Sequence, residues 1–293
     1  MLHSVGREEG ATGRRRIESA IPQEYVPHIR IKFNYLTCGM DYAVAEPDSR
    51  EETFRIVLKL SDSMPDKADR LDHCGVGFFR SFLGTNRKED INNCILAFES
   101  AVRLTPQGHS DMSGRLNKLG VLFYHRFKLA GDLTDISEGI SFQQKALQLT
   151  PEDHANTPGW LNNLGAAFRS CFECTGDLPD IYNAISYQQK ALHIAPEGHA
   201  VMPSCLNNLG NSFQCCFERT GDLADISDAI SYQQKAVGLT PEGHADMPSW
   251  LNNLGASFNH HFEHTGDLAD ISNAILYQLK AVCLTPEGHD NPL

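Results

Sequence analysis

Hydrophobic and polar positions along this chain recur with a fixed period. The pattern Leu-Asn-Asn-Leu-Gly stands at 161–165, 206–210 and 251–255, a near copy stands at 116–120, and a diverged copy stands at 71–75. Each copy starts 45 residues after the one before it. A period of about 20 to 50 residues indicates an array of structural repeats, each packed on its neighbours. The predicted units are 71–115, 116–160, 161–205, 206–250 and 251–293.

Two helices are predicted in each unit. In the third unit Leu161, Leu164 and Phe168 fall at i, i+3 and i+7, which places them on one face of a first helix. Gly176 suits the left-handed end of that helix, and Asp177 is the candidate N-cap of a second helix. The buried stripe of the second helix is predicted to contain Ile181, Ala184, Ile185, Gln188, Ala191 and Leu192.

Small residues indicate where the two helices of a unit approach each other. Gly165 is predicted to face Ala184 and Ala191, because larger side chains would separate the helix axes. In the first unit Asn86 replaces the glycine of the turn, and asparagine is the next-best residue for a left-handed cap. A single pair of short helices buries too little apolar surface to be stable, so the units are expected to stack.

The chain before the repeats divides into three segments. Residues 1–24 are predicted to be a disordered leader, and residues 25–50 a short strand-like segment because apolar and polar residues alternate from Ile29 to Tyr35. This segment is interpreted as the remnant of a domain located upstream. Residues 51–70 are predicted to form a degenerate helix or cap on the first unit.

Composition excludes several classes of function. The formal net charge of −12 argues against nucleic-acid binding, which requires clustered lysine and arginine. There is no apolar run long enough to span a membrane and no secretory signal at the N-terminus. The nine cysteines do not recur in regular pairs, so they are interpreted as reduced thiols of a cytoplasmic protein.

The repeat resembles the tetratricopeptide repeat (TPR). The resemblance rests on Leu-Asn-Asn-Leu-Gly followed by Phe168 on the first helix, and on Ala184, Tyr187, Lys190-Ala191-Leu192 and Pro196 on the second. The 45-residue unit is longer than the family's 34 residues and is similar to the kinesin light chain kind of TPR. The resemblance implies an all-α, right-handed solenoid of about five helix pairs, preceded by a small irregular or β-like N-terminal segment.

The loop sequences narrow this resemblance. Units that read Leu-Thr-Pro-Glu-Gly-His and Arg-Thr-Gly-Asp-Leu-Ala-Asp-Ile, as residues 239–244 and 219–226 do, are similar to tandem repeats of large fungal proteins that often carry a caspase-like protease (CHAT) domain. No such domain occurs in this sequence. The resemblance therefore implies a non-catalytic protein-interaction scaffold without a cofactor. The alternative is a regulatory or sensor fragment of a larger CHAT-protease or nucleotide-binding (NLR-like) signalling protein.

In a TPR solenoid the first helices line the concave groove, where a protein or peptide partner would bind. Removing the packing face of these helices leaves a polar, amide-rich and nearly uncharged set of positions, which suits an extended peptide or a helix. The predicted partner-binding residues are Asn117, Tyr124, His125, Asn162, Arg169, Ser170, Asn207, Asn211, Gln214, Asn252, Asn259 and His260.

Other candidate sites are weaker. His260, His261 and His264 have the helical spacing of a zinc site. The equivalent residues are different in each of the other units, so no metal is predicted. The recurring loop histidines (His109, His154, His199, His244 and His289) are interpreted as bonding to nearby backbone. Leu276 and Leu279 replace polar residues of earlier units in the last helix, which predicts either further repeats or self-association through this end.

Overall fold

The computed structural model describes residues 47–285, except residues 152 and 242. This part of the chain contains eleven helices and no strand. A single helix, α1 (Pro47–Lys59), precedes five hairpins. The hairpins are α2 (Lys67–Thr85) with α3 (Lys88–Leu104), α4 (Met112–Ala130) with α5 (Leu133–Gln148), α6 (Thr157–Thr175) with α7 (Leu178–Ile194), α8 (Met202–Thr220) with α9 (Leu223–Leu239), and α10 (Met247–Thr265) with α11 (Leu268–Leu284).

The five predicted helix pairs are confirmed, with small shifts of their boundaries. Each first helix begins four residues before the predicted start of its unit, so residues 67–70, assigned to the cap, form the first turn of α2. Pro203 lies within the first turn of α8, where proline lacks only an N–H that would be unpaired anyway. The predicted leader and the strand-like residues up to 46 lie outside the described residues; residues 47–50 belong to α1.

Every first helix ends on a left-handed residue. Gly221 has φ 73°, and its N–H donates to the carbonyl oxygen of Phe217 at 2.7 Å. Asn86 has φ 53° and bonds to Phe82 in the same way, which confirms that it replaces the turn glycine of the other units. The repeated turn sets one hairpin geometry along the array.

The N-cap predicted at Asp177 lacks its hydrogen bond. In α9 the carboxylate of Asp222 accepts from the N–H of Ala224 at 2.9 Å. The equivalent position in α7 is Pro179, which has no N–H to donate, so Asp177 caps the helix without a side-chain bond.

The helices of each hairpin approach closely at the predicted glycine. A Cβ atom on Gly165 would lie 3.0 Å from the carbonyl oxygen of Ala184. Ala191 does not face this glycine: it packs against Leu161 and Cys205, where the next unit begins. Ala191 is therefore small because three helices meet there.

Aromatic rings stack between the helices of four hairpins. Their centroids are 5.5–5.7 Å apart and their planes lie within 21° of each other. Together with the buried leucines and isoleucines they form an apolar core that continues from one hairpin into the next. The pairs are Phe123 with Phe142, Phe168 with Tyr187, Phe213 with Tyr232, and Phe258 with Tyr277.

The loops between units are built around the recurring histidine. The ring Nδ1 of His199 accepts from the N–H of Val201 at 3.2 Å, and three other loops repeat this contact at His109, His154 and His244. The prediction that these histidines bond to nearby backbone is confirmed for these four; His289 lies outside the described residues. No helix in the described ranges is long and apolar enough to cross a membrane.

Candidate functional site

A groove of about 1450 Å³ runs along the first helices. It is lined by residues of α4, α6, α8 and α10 and by the loops that precede α8 and α10. Consecutive first helices contact each other at α4–α6, α6–α8 and α8–α10, which makes the floor of the groove continuous. The second helices contribute little to this surface.

An asparagine ladder crosses the floor of the groove from α6 to α8 and from α8 to α10. The side-chain Nδ2 of Asn208 donates to Oδ1 of Asn162 at 3.2 Å, and Nδ2 of Asn253 donates to Oδ1 of Asn207 at 3.2 Å. At the equivalent place between α2 and α4, Lys118 donates to Asp72 at 3.0 Å. Lysine can only donate and a carboxylate can only accept, so the direction of this bond is fixed, and the two asparagine pairs have the same direction.

The ladder leaves amide donors available to a ligand. Oδ1 of Asn162 and Oδ1 of Asn207 are each occupied by the following unit, whereas neither Nδ2 forms a hydrogen bond within the described part of the chain. Both side chains line the groove. Asn252 also lines it and is exposed, and its carboxamide forms no hydrogen bond within the described residues. The floor therefore presents N–H groups in the third, fourth and fifth units, one from each.

Polar residues on the C-terminal half of α8 are tied into the fold. Gln214 donates from Nε2 to Glu218 at 3.0 Å and accepts at Oε1 from the hydroxyl of Ser257 at 2.9 Å. The carboxamide of Asn211 accepts from Nε2 of Gln233 at 2.9 Å. Gln214 and Asn211 line the groove with their contacts already partly used.

Arg169 introduces a buried charge in the third unit. It is 7% exposed and forms an ion pair with Glu173, four residues later on α6. Burial alone would lower the pKa of the guanidinium, but Glu173, Cys215 and Tyr124 together outweigh it, and the pKa lies above its ordinary value. The charge of Arg169 is thus compensated within the wall of the groove.

The predicted site residues separate into two sets. Tyr124, His125, Ser170 and Asn259 do not line the groove. Ser170 is 1% exposed, and its hydroxyl lies 3.4 Å from the hydroxyl of Tyr124. Burial lowers the pKa of His125 to about 4, so this histidine is neutral at pH 7 among aromatic rings. The residues that line the groove are Asn117, Asn162, Arg169, Asn207, Asn211, Gln214, Asn252 and His260.

Two solved structures share this arrangement of helices. BtubC (BKLC) from P. vanneervenii is 16% identical, with coverage of 84% of this chain and 95% of its own and a TM-score of 0.55. A kinesin-light-chain-type protein of P. anserina with nearly identical TPR-like repeats is 10% identical, with coverage of 73% and 97% and a TM-score of 0.52. No family model and no curated protein matches the chain.

The chain has the TPR-like repeat fold. At these identities the likeness concerns the arrangement of the helices and not the residues of the groove. The fold implied by the Leu-Asn-Asn-Leu-Gly pattern is therefore confirmed, while the groove of this TPR-like array has to be interpreted from its own side chains.

The histidines of α10 are used separately in the TPR-like array. His261 bonds to Asp270 at 2.6 Å and connects α10 to α11, while His260 lies 3.7 Å from Glu218. His264 contacts the ring of Phe217 edge-on at 4.7 Å. Within the described ranges no group of three or more histidine, cysteine, aspartate or glutamate residues could hold a metal.

The cysteines of the described ranges are free thiols. Burial, reinforced by the neighbouring Asp180, raises the pKa of Cys171 to about 12, so this thiol stays protonated. Cys174 also has a raised pKa because of burial. The Cys171-x-x-Cys174 spacing therefore lacks the low-pKa thiolate that redox chemistry needs.

Sequence reasoning missed the loop side of the groove. The loop before α8 contributes His199, the start of α8 contributes Met202, and the loop before α10 contributes His244. Trp250 lies near the same edge with its ring stacked 5.4 Å from His244. The recurrence of Pro-x-x-His shortly before α4, α6, α8 and α10 was the available signal for this contact.

Proposed function

We propose that this chain is a non-catalytic protein-interaction scaffold that binds a peptide or helix of a partner protein in the groove. The row of unpaired Nδ2 groups at Asn162 and Asn207 supports this proposal most directly. An extended peptide offers main-chain carbonyl oxygens at regular intervals, and those oxygens are the acceptors that such donors require. Among the two forms of partner, the donors therefore favour an extended segment, since a helix uses its own carbonyl groups internally.

The charge of the groove agrees with a partner recognised through its main chain. Arg169 is compensated by Glu173, and Lys118 is compensated by Asp72, which leaves Lys128 as the one lysine or arginine of the described lining without an ion pair. Carboxamides are the most frequent polar side chains of the lining. Recognition of main-chain groups is tolerant of side-chain identity, and the neighbouring loops would supply the selectivity.

Replacing Asn162 and Asn207 together with aspartate tests this proposal. Aspartate keeps the Oδ1 acceptor of the ladder, as Asp72 does in the first unit, but removes the Nδ2 donor. Peptides are selected on the wild-type chain from a phage-displayed random library, and their affinity is then measured by calorimetry. We expect the variant to bind about tenfold more weakly for each donor lost, because peptide carbonyl groups are left unpaired.

The control variant carries the same two charges on the opposite side of the array. Gln189 and Gln234 are exposed on α7 and α9, so replacing both with glutamate should leave peptide affinity unchanged. Thermal melts establish that both variants remain folded. The proposal is wrong if no peptide is enriched, and the groove is the wrong surface if the aspartate variant binds as well as the wild type.

We also propose self-association through the last helix. Its terminal face consists of Ile275, Leu276, Leu279 and Val282, which are 47–64% exposed. In α9 the equivalents of two of these, Ile230 and Val237, pack against the next unit. Leu276 and Leu279 replace a serine and a glutamine of α9, so the terminal face is wider than a further unit alone would require. A second copy carries the same face and can cover it symmetrically.

Restoring the α9 residues tests self-association. Leu276→Ser with Leu279→Gln removes the additional apolar surface, and sedimentation velocity should change from a concentration-dependent dimer to a monomer. Leu149→Ser, at the 57% exposed C-cap position that follows α5, should leave the dimer intact. A wild-type chain that sediments as a monomer at high micromolar concentration would contradict this proposal.

A further inference from the structure

The hydroxyl of Ser257 differs in its bonding from its counterpart one unit earlier. In α8 the hydroxyl of Ser212 donates to Oε1 of Gln188 on α7 at 2.7 Å. Its longer contact, 3.1 Å to the carbonyl oxygen of Asn208, lies within its own helix. Both Ser212 and Gln188 are 0% exposed. The bond therefore satisfies the side-chain carbonyl of Gln188 in the core between the third and fourth units.

Ser257 and Gln233 occupy the same two positions 45 residues later, yet they are not bonded to each other. Ser257 donates instead to Oε1 of Gln214 at the groove, at 2.9 Å. Gln233 is 0% exposed, and its Oε1 is left without a partner in the described part of the chain. Gln143 is the equivalent glutamine of the second unit, and the place of the serine is taken there by Ala167 on α6. The Oε1 of Gln143 is likewise unpaired, as expected where no hydroxyl is present.

One hydroxyl carries one hydrogen, so Ser257 can serve only one of the two glutamine oxygens at a time. Gln214 borders the groove, where the N–H of a bound ligand can pair it. Gln233 is buried, and an unpaired buried carbonyl destabilises the fold. Transfer of the hydroxyl to Gln233 is therefore favourable as soon as another donor pairs Gln214.

We propose that Ser257 couples occupancy of the groove to the core, so that the bound segment is one that presents an N–H donor to Oε1 of Gln214. This inference rests on the proposed peptide-binding function and identifies the chemistry of one contact in it. The ligand N–H replaces the Ser257 hydroxyl at Gln214, and the hydroxyl then pairs Gln233. The affinity for the segment is therefore increased by the Ser257–Gln233 bond in the core as well as by the contact in the groove.

The position of Gln214 relative to Asn207 gives the register of the bound segment. The two residues are seven apart on α8, which places them on the same face about 10 Å apart. An extended chain covers that distance in about three residues. Asn207 would donate to one carbonyl oxygen of the segment, and Gln214 would accept one main-chain N–H about three residues away.

The coupling can be tested on the full chain without any ligand. Gln214→Met fills a similar volume but removes the competing acceptor, so Ser257 is free to pair Gln233, and the melting temperature should rise by about 2–4 °C. In a Ser257→Ala background the same Gln214→Met change should give no rise. In a Ser212→Ala background, where Ser257 is intact, the rise should persist. A fall in melting temperature on Gln214→Met that is equal in all three backgrounds would overturn the coupling.

The ligand contact is tested with a peptide selected on the wild-type chain and then N-methylated at one main-chain nitrogen after another. Methylation at one position should weaken peptide binding to the wild type by about tenfold or more, and the same methylation should have little effect on binding to the Gln214→Met variant. If no methylation is specific to Gln214, the inferred contact is overturned while the proposed function stands. If no peptide is selected at all, the proposed function and the contact fail together, and the melts still decide the coupling within the fold.

Discussion

Replacing Phe213 with alanine is expected to lower the free energy of unfolding by about 3–5 kcal/mol. The ring is 8% exposed, packs with Leu209 and Ile226, and stacks on Tyr232 with centroids 5.7 Å apart. Its removal leaves a cavity inside the fourth hairpin, where helix backbones on both sides limit collapse. Circular dichroism should show a melting temperature lower by about 10 °C.

Tyr182→Ala is the matched control, because it removes an aromatic ring of similar size from a position that is 52% exposed. Its effect should stay within about 0.5 kcal/mol. Since each unit is stabilised by its neighbours, the loss at Phe213 should also weaken the interfaces of the fourth unit with the third and fifth. A near-neutral Phe213→Ala would mean that the stacked rings contribute little to the core.

The features that the sequence predicted well are those repeated in every unit. The period located all five hairpins, because a buried apolar position recurs wherever the same packing recurs. Asn86 could be assigned to the turn of the first unit because few residues other than glycine adopt a left-handed backbone readily, and its φ of 53° agrees. The close approach at Gly165 was likewise predictable from size alone.

The features that the sequence could not predict depend on one unit differing from the others. Asp177 has the residue type of an N-cap, but its bond depends on the N–H that Pro179 lacks. Ser170 and Tyr124 were predicted in the groove, whereas the structure places them below its lining, because consecutive first helices cover positions that face outward on an isolated helix. The sequence does not predict which acceptor the Ser257 hydroxyl bonds to, since Gln214 and Gln233 are both glutamines at suitable positions.

Gly210→Leu is the second change expected to have a large effect, a loss of about 3 kcal/mol or more in the free energy of unfolding. A Cβ atom at this position would lie 2.6 Å from Cγ of Gln233 and 3.0 Å from the carbonyl oxygen of Ala229. Gln233 is buried and bonded to Asn211, and Ala229 contributes backbone, so neither neighbour can move aside easily. The helices α8 and α9 would have to separate, and urea denaturation should show a lower midpoint.

Gly238→Leu makes the same substitution on α9 at a place where an added Cβ would meet nothing within 4 Å. It should stabilise the chain by about 0.5–1 kcal/mol, because leucine favours a helix more than glycine does. The two changes in the free energy of unfolding should have opposite signs. They separate the helix propensity of glycine from its role at a close approach of two helices, since only the close approach explains a loss at Gly210. If both variants were stabilised, the helices of the fourth hairpin would have to lie farther apart than the distances at Gly210 indicate.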